Sequence, residues 1–219
     1  MGKNQYFRDK VKKFYYENKR HFFWRNGSLL PYQIMIVELF LKKTKAETVN
    51  KIIFDFIKKY DDNKKILDES EKNILKQISS LGLGNQRTMA LKRISEHIHN
   101  NFNDELPGDL DKLMRIPYVG LYTANATMCF GFNKKSPVLD VNTSRIISRF
   151  FSIDNDKDIR DNKDMHDKAK KLLPRKNFKE YNWGLLDLSA IKCKPNPKCV
   201  KCPLKRKCDY NLRETRYKL

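Results

Sequence analysis

The chain has 219 residues, and its 46 Lys+Arg against 26 Asp+Glu give a net charge of +20 at pH 7. This excess of positive charge favours a polyanionic partner, most simply nucleic acid. Hydrophobic residues make up 40% of the chain, which excludes a disordered basic tail. The sequence contains no apolar run long enough to span a membrane. Residues 1–20 are charged throughout and lack an apolar core, so we expect the protein to stay in the cytoplasm.

Apolar residues recur at helical spacing along most of the chain. Ile53, Phe56 and Ile57 form one such set, and Leu91, Ile94 and Ile98 form another. Alternating apolar and polar positions bounded by turn signals, the pattern typical of strands, are missing. The sequence therefore predicts an all-α fold with about ten helices of roughly 8 to 16 residues each.

One predicted helix, residues 31–41, is expected to bury a carboxylate. Its second half is apolar on every side except at Glu38, and a helix that is apolar all round lies in a core. A carboxyl group in such surroundings is suited to exchanging a proton near neutral pH. A structural glutamate paired with an arginine remains an alternative. Lys42 and Lys43 follow directly and place positive charge at the end of this helix.

A tight turn between two short helices is predicted around Pro117 and Gly120. The unpaired N–H groups at the start of the second helix, together with the helix dipole, can bind an anion such as a phosphate. A plain pair of helices without a ligand is the alternative. Further along, Asp140 precedes Asn142 and Thr143 in a pattern typical of a helix N-cap, so a purely structural cap stays open for this aspartate.

Four cysteines near the end of the chain follow the pattern Cys193-x5-Cys199-x2-Cys202-x5-Cys208. In a chain of the cytoplasm, such a cluster favours metal over disulfides. Four thiolates suit tetrahedral zinc or a [4Fe–4S] cluster. Seven lysines and arginines lie among these cysteines between residues 192 and 207, which indicates a surface that contacts phosphates.

These motifs together resemble the helix-hairpin-helix DNA glycosylases of the endonuclease III branch. Residues 116–124 resemble the hairpin L-P-G-V-G-x-[K/S/Y]-T-A, and residues 138–146 resemble the segment V-D-x-N-x-x-R-[VI]. Residues 22–25 resemble a short L-P-W-R motif, and the four cysteines resemble the spacing C-x6-C-x2-C-x5-C around a [4Fe–4S] cluster. The chain departs from the family at Tyr118, which replaces the first hairpin glycine, at Phe23, and in a first cysteine gap that is one residue shorter.

The resemblance implies two helical subdomains with a cleft between them and a C-terminal [4Fe–4S] loop. The terminal subdomain would comprise residues 1–27 and 132–219 with the loop at 193–208. The second subdomain, a helical barrel, would comprise residues 28–131 with the helix-hairpin-helix motif at about 110–125. The resemblance also implies a [4Fe–4S] cluster held by the four cysteines, with zinc as the alternative.

The resemblance further implies roles for individual residues. Asp140 corresponds to the catalytic carboxylate, and Glu38 would protonate or hydrogen-bond the leaving base or position water. Tyr122 stands where strand-cleaving relatives carry a lysine, so we expect little or no strand cleavage. We expect the following residues to bind substrate or DNA: Asn142, Lys42, Lys43, Leu83, Pro117, Val119, Gly120, Thr123 and Arg145.

The expected function is that of a monofunctional DNA glycosylase that removes thymine or uracil mispaired with guanine. One alternative is an adenine glycosylase acting opposite oxidised guanine or guanine, and another is an iron–sulfur DNA-binding module without catalysis. The expected partner is double-stranded DNA with a mismatched or damaged base. We expect a monomer that is associated with the nucleoid and not with a membrane.

Overall fold

A computed structural model of the protein describes residues 1–154 and 157–216, with the side chains of residues 215 and 216 left out. Residues 155–156 and 217–219, all in the predicted terminal subdomain, lie outside the described residues. Contacts divide the chain into two compact units. The terminal unit comprises residues 1–20 and 135–219, and the central unit comprises residues 21–134.

The predicted all-α fold is confirmed, since the described residues contain twelve α-helices and no strand. The terminal unit holds α1 (Lys3–Asn18), α9 (Val141–Phe151), α10 (Lys163–Leu172), α11 (Phe178–Ile191) and α12 (Asp209–Arg216). The central unit holds α2 (Pro31–Leu41), α3 (Ala46–Lys59), α4 (Asn63–Asp68), α5 (Glu71–Ile78), α6 (Gly84–Phe102), α7 (Leu110–Arg115) and α8 (Leu121–Ala126). No helix in the described part of the chain is long and apolar enough to cross a membrane.

The unit boundaries differ from the expected ones. The sequence places them at 27/28 and 131/132, whereas the units divide at 20/21 and 134/135. Phe23 explains the first difference, because its ring packs edge-on against Phe54 of α3 at 5.2 Å between centroids. Its N–H also donates to Oδ1 of Asn50 on the same helix at 2.9 Å. These contacts fasten the segment that follows residue 20 to the central unit.

The core of the central unit is organised around α2. Pro31 opens this helix, and the side chain of Gln33 accepts a hydrogen bond from the N–H of Leu30 at 2.9 Å. Residues 32–40 are all buried, so α2 has no solvent face. The helices α3, α6 and α8 pack around it. Glu38 lies on this helix and is 3% exposed. Its burial, predicted from the apolar pattern, is confirmed.

The core of the terminal unit lies between α1, α9 and α11. Phe7 and Val11 of α1 are fully buried against Ile147 and Phe150 of α9. Gly184 lets α11 approach α1 closely, because a Cβ atom there would stand 2.8 Å from the carbonyl oxygen of Val11. This packing fixes α9 in the unit, and with it the residue that starts α9.

Candidate functional site

Asp140 is the N-cap of α9, and its carboxylate is held by several donors. Oδ1 accepts hydrogen bonds from the N–H groups of Asn142 and Thr143 at 3.1 and 2.7 Å and from the Thr143 hydroxyl at 2.8 Å. Oδ2 accepts one from the Asn142 amide at 2.9 Å. The positive end of the α9 dipole adds to these bonds. The aspartate therefore does serve as the predicted cap, and the same bonds hold its carboxylate in one orientation at a partly exposed position.

A chain of hydrogen bonds leads from Asp140 to the cysteine loop. Oδ1 of Asn142 accepts a bond from Nη2 of Arg145 at 3.1 Å, and Nε of Arg145 donates to the carbonyl of Cys193 at 3.0 Å. Burial lowers the pKa of Arg145 from its usual range, an effect that the nearby Cys193 and Asp140 oppose. Arg145 is expected from the sequence to contact DNA, and in the structure its partly buried guanidinium bonds to Asn142 and to the cysteine loop.

All four predicted cysteine ligands line one cavity of the terminal unit. Burial raises the pKa of the Cys202 thiol to about 11, and the other three thiols add to this shift, which reflects their proximity. The backbone N–H of Leu204 lowers the same pKa by bonding to the sulfur. Among the described residues, no three His, Cys, Asp or Glu side chains form a ready site for a single metal ion. The donor set nevertheless fits a group that four thiolates hold together.

Arg149, a residue that sequence analysis missed, also holds the cysteine loop. Its guanidinium donates to the carbonyls of Lys194 and Pro195 at 2.7 and 2.8 Å and lies 3.6 Å from Sγ of Cys193. Arg149 stands one helical turn after Arg145 on α9, so the two side chains reach the same loop. This spacing is the signal in the sequence that could have identified the pair.

In the central unit, Glu38 and Lys42 interact electrostatically. Lys42 directly follows α2, and its Nζ donates to the carbonyl of Tyr118 in the hairpin at 2.7 Å. Burial lowers the pKa of Lys42, and the charge of the nearby Glu38 opposes this shift. Lys42 is predicted from the sequence to bind DNA, and in the structure its exposed side chain also bonds to the hairpin.

The hairpin forms the predicted tight turn, with the N–H of Val119 bonded to the carbonyl of Ile116 at 3.1 Å. Val119 and Thr123 are 5% and 1% exposed, so their side chains pack inside the unit instead of facing a ligand. Any DNA contact at these two positions therefore falls to the backbone. Pro117 is partly buried in the turn, and Tyr122 is half-buried in the first turn of α8.

Gly120 is the N-cap of α8, and the space beside it is open. A Cβ atom built there would meet no described atom within 4 Å. Its φ of −88° is one that any residue adopts. The fold of the described residues therefore does not require glycine at this position, whereas close approach of an external group to the backbone would.

A cavity of about 320 Å³ lies in the central unit beside the hairpin. Its apolar wall includes Leu83, Met89 and Tyr118, each about half exposed, and its cationic rim is formed by Lys42 and Lys43. The sequence predicts ligand contact at Leu83, Lys42 and Lys43, and the structure brings these three together around one space. Met89 is an addition that no motif indicated.

Three residues of this cavity have a left-handed backbone. Lys43, Leu83 and Tyr118 have φ values of 57°, 53° and 62°, and each stands in a different turn. A residue with a Cβ atom loses roughly 1–2 kcal/mol in this conformation. Such strain persists only where neighbouring contacts enforce it, and it is concentrated at functional sites.

Comparison with known proteins identifies the family of this chain. Residues 36–175 match the family model described as HhH-GPD superfamily base excision DNA repair protein. A thymine/uracil-DNA glycosylase of Methanothermobacter thermautotrophicus is 34% identical over 209 residues, which cover 95% of this chain and 94% of the relative. A second thymine/uracil-DNA glycosylase, from Pyrobaculum aerophilum, is 33% identical over 203 residues, which cover 90% and 88%.

Solved structures give the same result for the fold. A thermostable thymine-DNA glycosylase superposes with a TM-score of 0.91 at 34% identity, and the match covers 96% of this chain and 97% of the other. Endonuclease III in a non-covalent complex with DNA superposes with a TM-score of 0.83 at 20% identity, covering 99% of both chains. At that identity the second likeness concerns the fold alone, and it agrees with the architecture expected from the sequence.

Proposed function

Because the chain belongs to the HhH-GPD superfamily of base excision DNA repair proteins, we propose that it is a DNA glycosylase that removes thymine or uracil mispaired with guanine. The observation that carries this proposal is the Asp140 carboxylate, which four hydrogen bonds hold at the start of α9. The similarity to thymine/uracil-DNA glycosylases over most of the chain supports the choice of base. The protein acts as a monomer on DNA of the nucleoid.

The reaction requires a nucleotide that has left the duplex, because its glycosidic bond is inaccessible inside the stack. The bond between C1′ and the base nitrogen breaks with its electrons going to the base, and the sugar becomes an oxocarbenium-like cation. The Asp140 carboxylate stabilises this charge electrostatically. Water then adds to C1′, and its proton passes to Asp140. Glu38 protonates or hydrogen-bonds the departing base, or positions water.

Tyr122 is the reason why we expect no strand cleavage after the base has been removed. Strand cleavage in this family needs an amine that attacks C1′ to form an imine, and a phenol cannot form one. The product is therefore an abasic site in an otherwise intact strand.

Duplex binding uses the hairpin and the cavity of the central unit. The open space at Gly120 admits a phosphate to the backbone N–H groups at the start of α8. The apolar wall of the cavity suits an unstacked nucleobase, and its two rim lysines suit the flanking phosphates. Asn142 stays beside Asp140 and keeps its carboxylate oriented.

The four cysteines, Cys193, Cys199, Cys202 and Cys208, would hold a [4Fe–4S] cluster, with zinc as the alternative. The cluster would supply a fixed shape to the cation-rich loop around it. Elemental analysis of the purified protein for iron and zinc, together with its visible absorbance, tests this assignment. Zinc alone would exclude the cluster and leave the glycosylase proposal intact.

A single-turnover assay tests the activity. Duplexes carry one G·T, G·U or A·oxidised-guanine pair, and the enzyme is in excess over DNA. We expect excision of T and U without a strand break until alkali is added. Excision of adenine alone would support the adenine-glycosylase alternative, and binding without any excision would support the non-catalytic module.

A further inference from the structure

Two turns of the central unit that line its cavity are joined by one buried side chain. Arg87 lies on α6 and is 5% exposed. Its Nη1 donates to the carbonyl of Phe40 at 2.7 Å, and its Nη2 donates to the carbonyl of Lys42 at 2.8 Å. Both carbonyls belong to the C-terminal end of α2, where intrahelical partners run out. Arg87 thus caps α2 from a neighbouring helix.

The same guanidinium reaches the turn that carries Lys43. Nη2 of Arg87 donates to Oγ1 of Thr44 at 2.6 Å, and the Thr44 hydroxyl donates to the carbonyl of Leu81 at 3.0 Å. The backbone N–H of Arg87 donates to the carbonyl of Leu83, the N-cap of α6, at 3.0 Å. Lys43 and Leu83 therefore stand in two turns that Arg87 and Thr44 connect.

These bonds act on the residues whose backbone is strained. Lys43 and Leu83 are both left-handed without being glycine, and both project from the rim or wall of the cavity. A buried guanidinium loses its hydration, and here three acceptors within residues 40–44 replace that water. The guanidinium bonds directly to the turn that carries Lys43, and the Thr44 hydroxyl extends the connection to Leu81, next to the turn of Leu83. A buried charge with bonds to strained turns is typical of a preorganised binding surface.

We propose that Arg87 is a positioning residue that holds Lys43 and Leu83 in their DNA-binding conformation. The inference rests on the proposed function, since it takes these two residues as contacts to the duplex. Thr44 also takes part, because its hydroxyl accepts a hydrogen bond from Arg87 and donates one to the carbonyl of Leu81.

The experiment compares Arg87→Met with Lys92→Met. Lys92 lies on the same helix, and its ammonium also donates to main-chain carbonyls, those of Leu67 and Glu69, which do not line the cavity. Both variants remove a cation that caps the C-terminal end of a helix, so both lower the unfolding temperature. Affinity is measured by fluorescence anisotropy on a duplex with an abasic-site analogue opposite guanine, at a temperature where both variants are folded.

We expect Arg87→Met to raise Kd about tenfold, while Lys92→Met leaves it unchanged within about twofold. The excision rate at saturating Arg87→Met enzyme should stay within about threefold of the wild type, because Asp140 is unaffected. Arg87→Lys should recover part of the affinity. Equal effects of the Arg87 and Lys92 variants on Kd would overturn the proposal.

Thr44→Val provides a second test if Arg87→Met does not fold. Valine keeps the shape of threonine but removes the relay to Leu81, so we expect Kd to rise about threefold with little loss of stability. A wild-type Kd for this variant would contradict the proposed role. Because affinity is measured on a duplex that needs no excision, failure of the wild type to remove T or U would refute the proposed function without affecting this comparison.

Discussion

At the scale of single residues, Asp140 combines two tasks in one carboxylate. It caps α9 through Oδ1 and is proposed to face the sugar cation. These tasks have different chemical requirements, since capping needs only an acceptor oxygen, whereas stabilising a cation needs negative charge. A substitution that keeps the oxygen and removes the charge separates them.

Asp140→Asn should therefore lower the single-turnover excision rate by about 10²-fold or more while it leaves duplex affinity and the unfolding temperature nearly unchanged. The rate is measured on a G·T duplex, and stability is measured by thermal unfolding. Asp62→Asn is the matched control, because Asp62 caps α4 by accepting the N–H of Lys65. Full activity of Asp140→Asn would remove Asp140 from its proposed role.

Gly120→Ala separates folding from binding in a similar way. The added methyl group meets no described atom within 4 Å and sits at an ordinary φ, so stability should be equal to or above that of the wild type. The methyl group stands where a phosphate would approach, so we expect Kd for the duplex to rise about tenfold. Anisotropy and thermal unfolding measure the two quantities, and unchanged affinity would argue against a phosphate at this position.

Motif resemblance located the candidate residues but did not reveal which way their side chains face. Thr123 and Val119 match a DNA-binding motif, yet both are buried, and Arg145 turns to the carbonyl of Cys193. The burial of Glu38 was predictable because its helix is apolar all round. The role of Arg87 was missed because the sequence does not show which carbonyls its guanidinium bonds to.

At the scale of elements, helices were predictable from periodicity, and the special turns between them were not. The left-handed backbone of Tyr118 follows from the hairpin geometry and not from a residue preference, because tyrosine rarely adopts it. Lys43 likewise lies between Lys42 and Thr44, which both accept hydrogen bonds from Arg87 of α6, far away in sequence. A repeating apolar pattern predicts a helix. A turn that is held by hydrogen bonds from distant residues has no such repeating pattern.

The junction of α3, α4 and α5 is joined by Glu69. Its carboxylate binds Nζ of Lys59 at 2.8 Å and accepts a bond from the amide of Asn73 at 2.8 Å. The Lys59 ammonium, foremost, and the Asn73 amide lower the pKa of Glu69 to about 2. A lowered pKa contributes stability above the unfolded-state value near 4.5, and this contribution is lost as pH falls toward 2.

Glu69→Gln should therefore lower the free energy of unfolding at neutral pH, and its difference from the wild type should shrink as pH falls from 4.5 to about 2. Urea unfolding at a series of pH values measures the difference. The control is Glu71→Gln, a change at an exposed glutamate in the first turn of α5. A difference that stays constant with pH would contradict the assigned ion pair.

At the scale of the whole molecule, the net charge of +20 is distributed over many surfaces, and its total alone does not identify those that contact DNA. Each lysine that neutralises a phosphate releases a counterion, so salt dependence counts contacts. The slope of log Kd against log salt therefore distinguishes lysines that contact DNA from lysines that do not.

A double variant of the cysteine loop, Lys198→Gln with Lys201→Gln, should reduce the slope of log Kd against log salt by about 2. The control double variant, Lys170→Gln with Lys171→Gln on α10, removes the same net charge and should leave the slope unchanged. Anisotropy titrations between about 50 and 200 mM salt measure both slopes. Equal slopes for the two variants would place the cysteine loop away from the duplex.

The discontinuous make-up of the terminal unit has a consequence for the order of folding. Its core joins α1, made first by the ribosome, to α11, made more than 150 residues later, and Gly184 marks their contact. The central unit, residues 21–134, is one continuous segment that can close its core while synthesis proceeds. The terminal unit must wait until α11 has been made, because residues of α1 and α11 share one core. Until then, the apolar side chains of Phe7 and Val11 in the newly made α1 lack their partners in the core, so α1 needs protection from aggregation during synthesis.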